Sequence, residues 1–225
     1  MAIQLAVFDM AGTTVADQNN VADAFKKAFS QLGMEIQTGD ISPLMGFHKP
    51  EAIAIMLRKL DVDPEPELVE EIHEIFEEEM YSFYRYDASV KPLPGAEEIF
   101  RYLKNGKVRV SLNTGFSKRI ADAIIQRFQW QAMGFIDDYI ASNEVEKGRP
   151  YPFMINELMK RAGVENVEQV MKVGDTPVDI DEGKNASCKY VIAITTGAAS
   201  EEELAAKHPT HLIHQLSEIA KILEE

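Results

Sequence analysis

Short apolar segments recur along the chain and predict the strands of a buried sheet. They cover residues 3–8, 108–112, 170–173 and 190–194, and β-branched side chains are frequent in them. A continuous apolar run of this length is typical of a strand that is buried on both faces, as in a parallel sheet. Polar residues or glycine follow each run, so each predicted strand ends in a loop that can carry functional side chains.

Helical spacing of apolar residues lies between these strands. It covers residues 95–104, 117–129, 151–162 and 177–186. The alternation of strands and helices predicts an α/β fold with a doubly wound, Rossmann-like parallel sheet. In such a sheet, ligands bind at the carboxyl ends of the strands, where loops and helix N-termini expose backbone donors.

The segment 21–85 interrupts this alternation, because it contains several helical patterns and no convincing strand. We therefore predict a catalytic core formed by residues 1–16 and 89–225, with an inserted α-helical cap domain at residues 17–88. The last helix of the cap, near residues 64–85, is strongly acidic. We interpret its glutamates as a solvated face rather than as metal ligands.

Charge and composition narrow the classes of function. The 225 residues are 45% hydrophobic, which supports a sizeable core, and the net charge is -14. That charge would repel nucleic acid and anionic membranes, so we expect neither as a partner. The first ten residues, MAIQLAVFDM, contain no basic leader and no long apolar segment, so we expect a cytoplasmic protein. The single cysteine, Cys188, has no second cysteine for a disulfide, and we interpret it as a packing residue.

Four motifs supply the side chains of a phosphoryl-transfer site at the predicted sheet edge. They are VFDMAGTTV at residues 7–15, LNTG at 112–115, GRPYP at 148–152 and VGDTPVD at 173–179. Their candidate functional residues are Asp9, Thr114, Gly115, Arg149, Asp175 and Asp179. A carboxylate can attack phosphorus and other carboxylates can hold Mg²⁺. A hydroxyl, a backbone amide and a fixed cation can bind phosphoryl oxygens.

The order of these motifs resembles the haloacid dehalogenase superfamily, with a helical cap between the first and second motif. The pattern D-x-A-G-T-T, and an arginine where lysine is more usual, resemble its phosphonoacetaldehyde hydrolase (phosphonatase)-like subgroup. The resemblance implies that Asp9 attacks phosphorus and forms an aspartyl-phosphate. It implies Mg²⁺ held by Asp9, the backbone carbonyl of Ala11 and Asp175, with Asp179 as a further ligand or in the metal's surroundings beside Arg149. The residues that it implies for phosphoryl or substrate binding are Gly12, Thr13, Met45, Gly46, Thr114, Gly115 and Arg149, of which Thr114 and Arg149 are also catalytic candidates.

The alanine at position 11 helps to distinguish hydrolysis of phosphate esters from other phosphoryl-transfer reactions. Typical phosphatases of the superfamily carry a second aspartate at this position, which protonates the leaving group and then activates water. A positioned general acid contributes roughly 10²- to 10⁴-fold in rate, or about 3–5 kcal/mol, and alanine cannot supply it. The sequence therefore disfavours ordinary phosphate esters and favours a leaving group that is activated by other means.

Lys49 offers that activation. The cap sequence MGFHK, residues 45–49, resembles the phosphonatase segment whose lysine forms a Schiff base with the substrate aldehyde. The iminium is an electron sink, so a C–P bond can break to give an enamine. The amine must be neutral, yet an ordinary lysine with a pKa of about 10.4 is almost fully charged at neutral pH. Pro50 predicts that Lys49 lies near the N-cap of a helix, whose positive end, together with a nearby Mg²⁺, would lower that pKa.

The leading hypothesis is a hydrolase that cleaves the C–P bond of a 2-oxoalkylphosphonate such as phosphonoacetaldehyde. Three proton-handling groups of phosphonatase are absent, because Ala52 replaces a histidine, Phe116 lacks the expected hydroxyl and VADQNN lacks a cysteine. Two alternatives stay open: a Mg²⁺-dependent phosphatase of small molecules, and a non-catalytic module that responds to phosphoryl groups as a switch. The resemblance also allows a homodimer formed through the cap.

Overall fold

The computed structural model describes residues 2–224, which form a six-stranded parallel sheet with surrounding helices. The strands are β1 (Leu5–Asp9), β2 (Arg109–Thr114), β3 (Asp138–Ala141), β4 (Val170–Gly174), β5 (Tyr190–Ile194) and β6 (His211–Ile213). Their order across the sheet is β3-β2-β1-β4-β5-β6. The first strand is therefore central, and the chain adds strands to both of its sides, as the predicted doubly wound fold requires.

The four predicted strands are confirmed to within two residues at each end. Their burial explains why the pattern of apolar residues predicts them. Every residue of β1 and β4 is buried. In β1, Ala6 and Phe8 pack into one apolar cluster, whereas Leu5 and Val7 pack into a second. A strand with an apolar layer on each side needs apolar residues at successive positions, which is the pattern of residues 5–8.

The sequence pattern does not predict β3 and β6. These strands have four and three residues, and each begins with partly exposed residues that include Asp138 and His211. Their apolar runs are short and are interrupted by polar residues, so the sequence pattern does not distinguish them from loops. Their positions at the two edges of the sheet explain why less burial is required of them.

Four α-helices follow β1 along the chain and precede β2. They are α1 (Asn20–Gln31), α2 (Thr38–Ile41), α3 (Lys49–Lys59) and α4 (Pro66–Tyr86). Within residues 21–85, all of which the structure describes, there is no strand. The buried residues of α4 are Ile72, Phe76, Met80 and Tyr84, and their spacing of four places them on one helix face. The helical character of this segment agrees with the sequence, and the division into core and cap domains stays a prediction.

The remaining helices are α5 (Ala96–Asn105), α6 (Lys118–Phe128), α7 (Phe153–Ala162), α8 (Pro177–Asn185), α9 (Glu201–Ala206) and α10 (Glu218–Glu224). The helices predicted at residues 95–104, 117–129 and 177–186 are confirmed. Helix α7 begins two residues later than predicted, because the N–H of Tyr151 donates to the carbonyl of Gly148 in a turn before it. None of the described helices is long and apolar enough to span a membrane.

Candidate active site

The carboxyl ends of three neighbouring strands bring the predicted polar residues together. Strand β1 pairs with β2 on one side and with β4 on the other. Asp9 is the last residue of β1, Thr114 is the last residue of β2, and Asp175 directly follows β4. Asp179 lies in the first turn of α8, and Arg149 reaches the same edge from the loop before α7.

Three buried carboxylates converge at this edge. One oxygen from each of Asp9, Asp175 and Asp179 lies within 4.8 Å of the other two. Burial raises the pKa of Asp9 to about 6, although Arg149 acts in the opposite direction. Burial, together with the neighbouring carboxylates, raises the pKa of Asp175 well above its ordinary value. The site therefore concentrates negative charge that the protein alone does not fully offset.

The loop after β1 holds Asp175 in place. Thr13 Oγ1 donates to Asp175 Oδ1 at 2.7 Å, and the N–H of Ala198 donates to Asp175 Oδ2 at 3.0 Å. Gly12 has a φ of +87°, and a Cβ at this position would lie 2.4 Å from Asp175 Oδ2. Glycine is required at residue 12 because both the backbone conformation and the close approach of the carboxylate exclude a side chain.

Arg149 is fully buried and joins Asp9 to the residues behind it. Its Nη1 donates to Asp9 Oδ1 at 2.6 Å and lies 3.0 Å from Asp179 Oδ1. Its Nε donates to Glu182 Oε2 at 3.0 Å, and its Nη2 donates to the backbone carbonyl of Asn113 at 2.9 Å. Because these contacts involve Nε and both terminal nitrogens, Arg149 is a cation fixed in position beside Asp9.

Sequence reasoning missed three buried polar residues behind Arg149: Asn113, Lys172 and Glu182. Lys172 Nζ donates to Asn113 Oδ1 at 2.6 Å and lies 3.0 Å from Glu182 Oε2. The Glu182 carboxylate also accepts a hydrogen bond from Asn113 Nδ2 at 2.9 Å. The available signal was a lysine inside the apolar run VMKVG, since a charge in a strand buried on both faces needs a partner.

Asp179 lies beside Arg149, as the resemblance implies, and also makes a contact at the start of α8. Its Oδ2 accepts hydrogen bonds from the N–H of Thr176 at 3.3 Å and from the Thr176 hydroxyl at 2.5 Å, at the start of α8. Its Oδ1 lies 3.0 Å from Arg149 Nη1 and 2.9 Å from Lys172 Nζ. Asp179 therefore helps to begin the helix and also lies beside both buried cations.

Lys49 begins α3 and is buried, with 3% of its surface exposed. Its Nζ lies 5.6 Å from the ring centroid of Phe25 and 5.2 Å from that of Phe116. Among residues 2–224, no carboxylate oxygen lies within the 4.0 Å of an ion pair from this nitrogen. Burial lowers the pKa of Lys49 to about 8, although Asp9 and Asp17 act in the opposite direction. At pH 7 roughly one tenth of this lysine is therefore neutral, far more than for an ordinary lysine.

One narrow cavity of about 30 Å³ joins Lys49 to the sheet edge. The predicted site residues that line it are Asp9, Ala11, Met45, Gly46, Lys49, Thr114, Gly115 and Asp175. The other predicted residues, Gly12, Thr13, Arg149 and Asp179, lie behind these and contact the lining carboxylates or the buried cations. The geometry thus places a buried amine and a buried carboxylate on the walls of the same small space.

The loop that precedes α3 and the loop that follows β2 meet without a gap. A Cβ on Gly115 would lie 2.5 Å from the carbonyl oxygens of both Gly46 and Phe47. Gly46 has a φ of +82°, and a Cβ there would lie 2.7 Å from Thr176 Oγ1. Two glycines therefore allow the helical segment to approach the sheet edge more closely than side chains would permit.

Asp17 is a further residue of this cavity that sequence reasoning did not single out. Its Oδ1 accepts a hydrogen bond from the N–H of Asn20, at the start of α1. Burial raises the pKa of Asp17, and Lys49 acts in the opposite direction. The signal was weak, because an aspartate before a helix is usually a capping residue and nothing more.

Comparisons with known proteins point to one family. The family model described as haloacid dehalogenase-like hydrolase matches residues 6–193. Phosphonoacetaldehyde hydrolase from Bacillus mycoides (strain KBAB4) is 28% identical over 229 residues, which cover 94% of this chain and 84% of that protein. Phosphonoacetaldehyde hydrolase from Bacteroides fragilis (strain YCH46) is 30% identical over 233 residues, which cover 96% of this chain and 87% of that protein.

A solved structure agrees on the fold. The phosphonoacetaldehyde hydrolase-like protein from Oleispira antarctica superimposes with a TM-score of 0.87 at 20% identity, covering 100% of this chain and 92% of that chain. This likeness concerns the fold alone, whereas the family model matches most of the sequence. The chain therefore belongs to the haloacid dehalogenase-like hydrolases and resembles their phosphonoacetaldehyde hydrolase-like members.

Proposed function

We propose that this hydrolase cleaves the C–P bond of a 2-oxoalkylphosphonate, with phosphonoacetaldehyde as one candidate substrate. The observation that carries the proposal is Lys49, a buried amine that lines the same cavity as Asp9 and has no ion-pair partner within residues 2–224. A lysine that served only the fold would be exposed or paired, because burying an unpaired ammonium is costly. The names of the relatives from Bacillus mycoides and Bacteroides fragilis support the same reaction.

The proposed reaction uses both groups in turn. The neutral amine of Lys49 attacks the carbonyl carbon of the substrate, and loss of water gives an iminium ion. Asp9 then attacks phosphorus, and the electrons of the C–P bond move into the iminium to form an enamine. Protonation and hydrolysis of the enamine release the aldehyde or ketone and regenerate Lys49. Water hydrolyses the aspartyl-phosphate to inorganic phosphate. Ala11 fits this route, because an enamine leaving group does not need the general acid that a phosphate ester needs.

The residues around Asp9 have matching roles in the proposal. Arg149 would keep the Asp9 carboxylate oriented. Because its N–H groups already face Asp9 and the residues behind it, it would act on the phosphoryl group through its charge rather than through hydrogen bonds. Thr114 and Gly115 would bind the same group from the end of β2, and Met45 and Gly46 would contact the remainder of the substrate. Gly12 and Thr13 would act less directly, by holding the carboxylate that follows β4.

The carboxylates at the sheet edge fit Mg²⁺. Hard divalent cations prefer oxygen ligands, and three buried carboxylates converge here within 4.8 Å. Asp9, Asp175 and the backbone carbonyl of Ala11 would hold the ion, whereas Asp179 would stay beside it because both of its oxygens already face other groups. When bound, Mg²⁺ supplies positive charge that stabilises the negative charge of the transferring phosphoryl group.

We also propose that residues 17–88 act as a cap that closes over the substrate. Lys49 comes from this segment and Asp9 from the sheet, and the cavity between them is about 30 Å³, so the two must separate for a substrate to enter. Closure would exclude water from the iminium. Solution scattering can test this, because an arrangement of the two parts that stays the same with and without Mg²⁺ and a phosphoryl mimic would contradict it.

Borohydride trapping tests the central step. The protein is incubated with phosphonoacetaldehyde or a longer 2-oxoalkylphosphonate, reduced with borohydride and digested for mass spectrometry. We expect a substrate-sized adduct on the peptide that carries Lys49, and none on Lys59, an exposed lysine at the end of the same helix. The Lys49→Met variant should give no adduct and release no phosphate from the phosphonate.

The alternative activity has a different signature. A Mg²⁺-dependent phosphatase would release phosphate from a panel of esters, give no adduct with any carbonyl compound, and keep its ester turnover in the Lys49→Met variant. That combination would refute the Schiff-base proposal. An adduct on Lys49 without phosphate release would instead place the error in the assignment of Asp9 or of the substrate.

A further inference from the structure

Asp17 is a carboxylate of the cavity to which the proposed function gives no role. The titratable side chains of residues 2–224 that line this cavity are Asp9, Asp17, Lys49 and Asp175. Asp9 and Asp175 belong to the three converging carboxylates at the sheet edge, which fit the nucleophile and Mg²⁺, whereas Asp17 does not. Asp17 is therefore the carboxylate of the cavity that is left to act with the amine.

The loop between β1 and α1 fixes the position of Asp17. The N–H of Asn20, the first residue of α1, donates to Asp17 Oδ1 at 2.9 Å. Asp17 is partly buried, and no cation of residues 2–224 forms an ion pair with it within 4.0 Å. Lys49, on the wall of the same cavity, is unpaired too. Two opposite charges that line one cavity without contacting each other leave room for a substrate atom that contacts both.

The surroundings of the two groups make a proton transfer between them easier than in water. Burial raises the pKa of Asp17, although the N–H groups of Asn20 and Val21 and the charge of Lys49 act in the opposite direction. Burial lowers the pKa of Lys49 to about 8. The two pKa values therefore move toward each other, so less free energy is needed to move a proton from the ammonium to the carboxylate.

We propose that Asp17 is a further catalytic residue, which takes a proton from Lys49 and returns it to the oxygen that leaves the substrate as water. The proposal rests on the proposed function, because it takes the substrate to carry the carbonyl group that Lys49 attacks.

The proton count of this step balances. Asp17 takes one proton from the Lys49 ammonium, and the neutral amine adds to the carbonyl carbon. A second proton passes from nitrogen to oxygen within the adduct and gives a carbinolamine. Asp17 then protonates the carbinolamine hydroxyl, the C–O bond breaks with its electrons on the departing water, and the nitrogen lone pair forms the C=N bond. Of the three ammonium protons, one stays on the iminium and two leave in water, and Asp17 ends as a carboxylate.

Asp17→Asn tests the proposal, with Asp23→Asn as the matched control. Asparagine keeps an oxygen that accepts the hydrogen bond from Asn20, but it cannot carry the proton. Asp23→Asn removes the same charge from α1 at a side chain that is 69% exposed. With phosphonoacetaldehyde and borohydride, we expect the adduct on Lys49 to form about 10²-fold more slowly in Asp17→Asn and at the wild-type rate in Asp23→Asn.

The direction of the change separates proton transfer from a purely electrostatic role. The charge of Asp17 raises the pKa of Lys49, so its removal alone would increase the neutral fraction of the amine and speed the addition. A rate in Asp17→Asn that is unchanged or faster would therefore overturn the proposal. Asp17→Ala gives a second measurement, because formate should restore its adduct formation by about tenfold or more, and chloride at the same ionic strength should not. A rate that formate does not raise would also contradict the proposal.

Formaldehyde distinguishes the failure of this proposal from the failure of the proposed function. It forms an imine with Lys49 without any phosphonate, and reduction with cyanoborohydride leaves methyl groups that mass spectrometry counts, with the exposed Lys59 as the reference. If the wild type gives no adduct with phosphonates while Asp17→Asn slows methylation of Lys49, the proposed function is wrong and the role of Asp17 stands. If the phosphonate adduct forms equally fast in the wild type and in Asp17→Asn, the role of Asp17 is wrong and the proposed function stands.

Discussion

Replacing Lys49 with methionine should make the protein more stable at neutral pH while abolishing the proposed C–P cleavage. Methionine is also long and unbranched, so it fills a similar space between Phe25 and Phe116, but it carries no charge to bury. The burial that lowers the pKa of Lys49 is a cost to folding, because the unfolded chain holds the same proton in water. The variant removes that cost.

The expected size follows from the pKa. Burial lowers it from 10.5 to about 8, and this difference corresponds to about 3 kcal/mol. The sign follows from proton counting: between about pH 8 and pH 10.5 the unfolded chain binds more protons than the folded one, so stability rises with pH there. The full cost is present below about pH 8 and is gone above about pH 10.5.

Urea unfolding of both proteins across this range, without Mg²⁺, measures the difference. We expect Lys49→Met to exceed the wild type by about 3 kcal/mol at pH 7, and the gap to shrink by that amount as pH rises past 10.5. Lys59→Met is the control, because the Lys59 side chain is 57% exposed and its removal should change stability by less than about 1 kcal/mol. A gap that is absent at pH 7, or that does not vary with pH, would refute the reasoning.

Three further substitutions test other parts of the site. Glu182→Gln leaves two buried cations short of a partner, so urea unfolding should show a loss of about 3 kcal/mol, against less than about 1 kcal/mol for the partly exposed Glu157→Gln. Gly115→Ala forces the loops before α3 and after β2 apart, so kcat/KM for the phosphonate should fall by about tenfold or more, whereas Gly39→Ala, which has open space, should not change it. Ala11→Asp supplies the missing general acid, so phosphate release from an alkyl phosphate should rise by about 10²-fold, and an unchanged rate would show that Ala11 does not limit ester hydrolysis.

The sequence predicts the central strands because a strand that is buried on both faces consists mostly of apolar residues. Strand β1 is apolar at successive positions before Asp9, and β4 is apolar except for Lys172 and is followed by Asp175. The topology brings both aspartates to one edge. Strands β3 and β6 have no continuous apolar run, because edge strands of three or four residues can include polar side chains. Only the three-dimensional pairing distinguishes them from loops.

The missed residues of the site depend on contacts between distant parts of the chain. In the sequence, Glu182 resembles an ordinary helical glutamate. Its role depends on its hydrogen bond with Arg149, which lies 33 residues earlier in the chain. Asp17 resembles an ordinary capping aspartate before α1, and only the fold shows that it lines the same cavity as Lys49. Motifs therefore identified Asp9, Asp175 and Lys49 on the cavity wall, but they identified neither Asp17 on the same wall nor Glu182 behind it.

The buried groups around Asp9 have a charge balance of their own. The carboxylates are Asp9, Asp175, Asp179 and Glu182, and the cations are Arg149 and Lys172. When all of these are ionised and Lys49 is in the neutral form that the proposed reaction requires, the carboxylates exceed the cations by two negative charges, which is the charge that one divalent ion neutralises. A phosphonate dianion would otherwise meet an anionic site, from which it would be repelled. The ion should therefore bind before the substrate, and the affinity for the phosphonate should rise with the concentration of Mg²⁺.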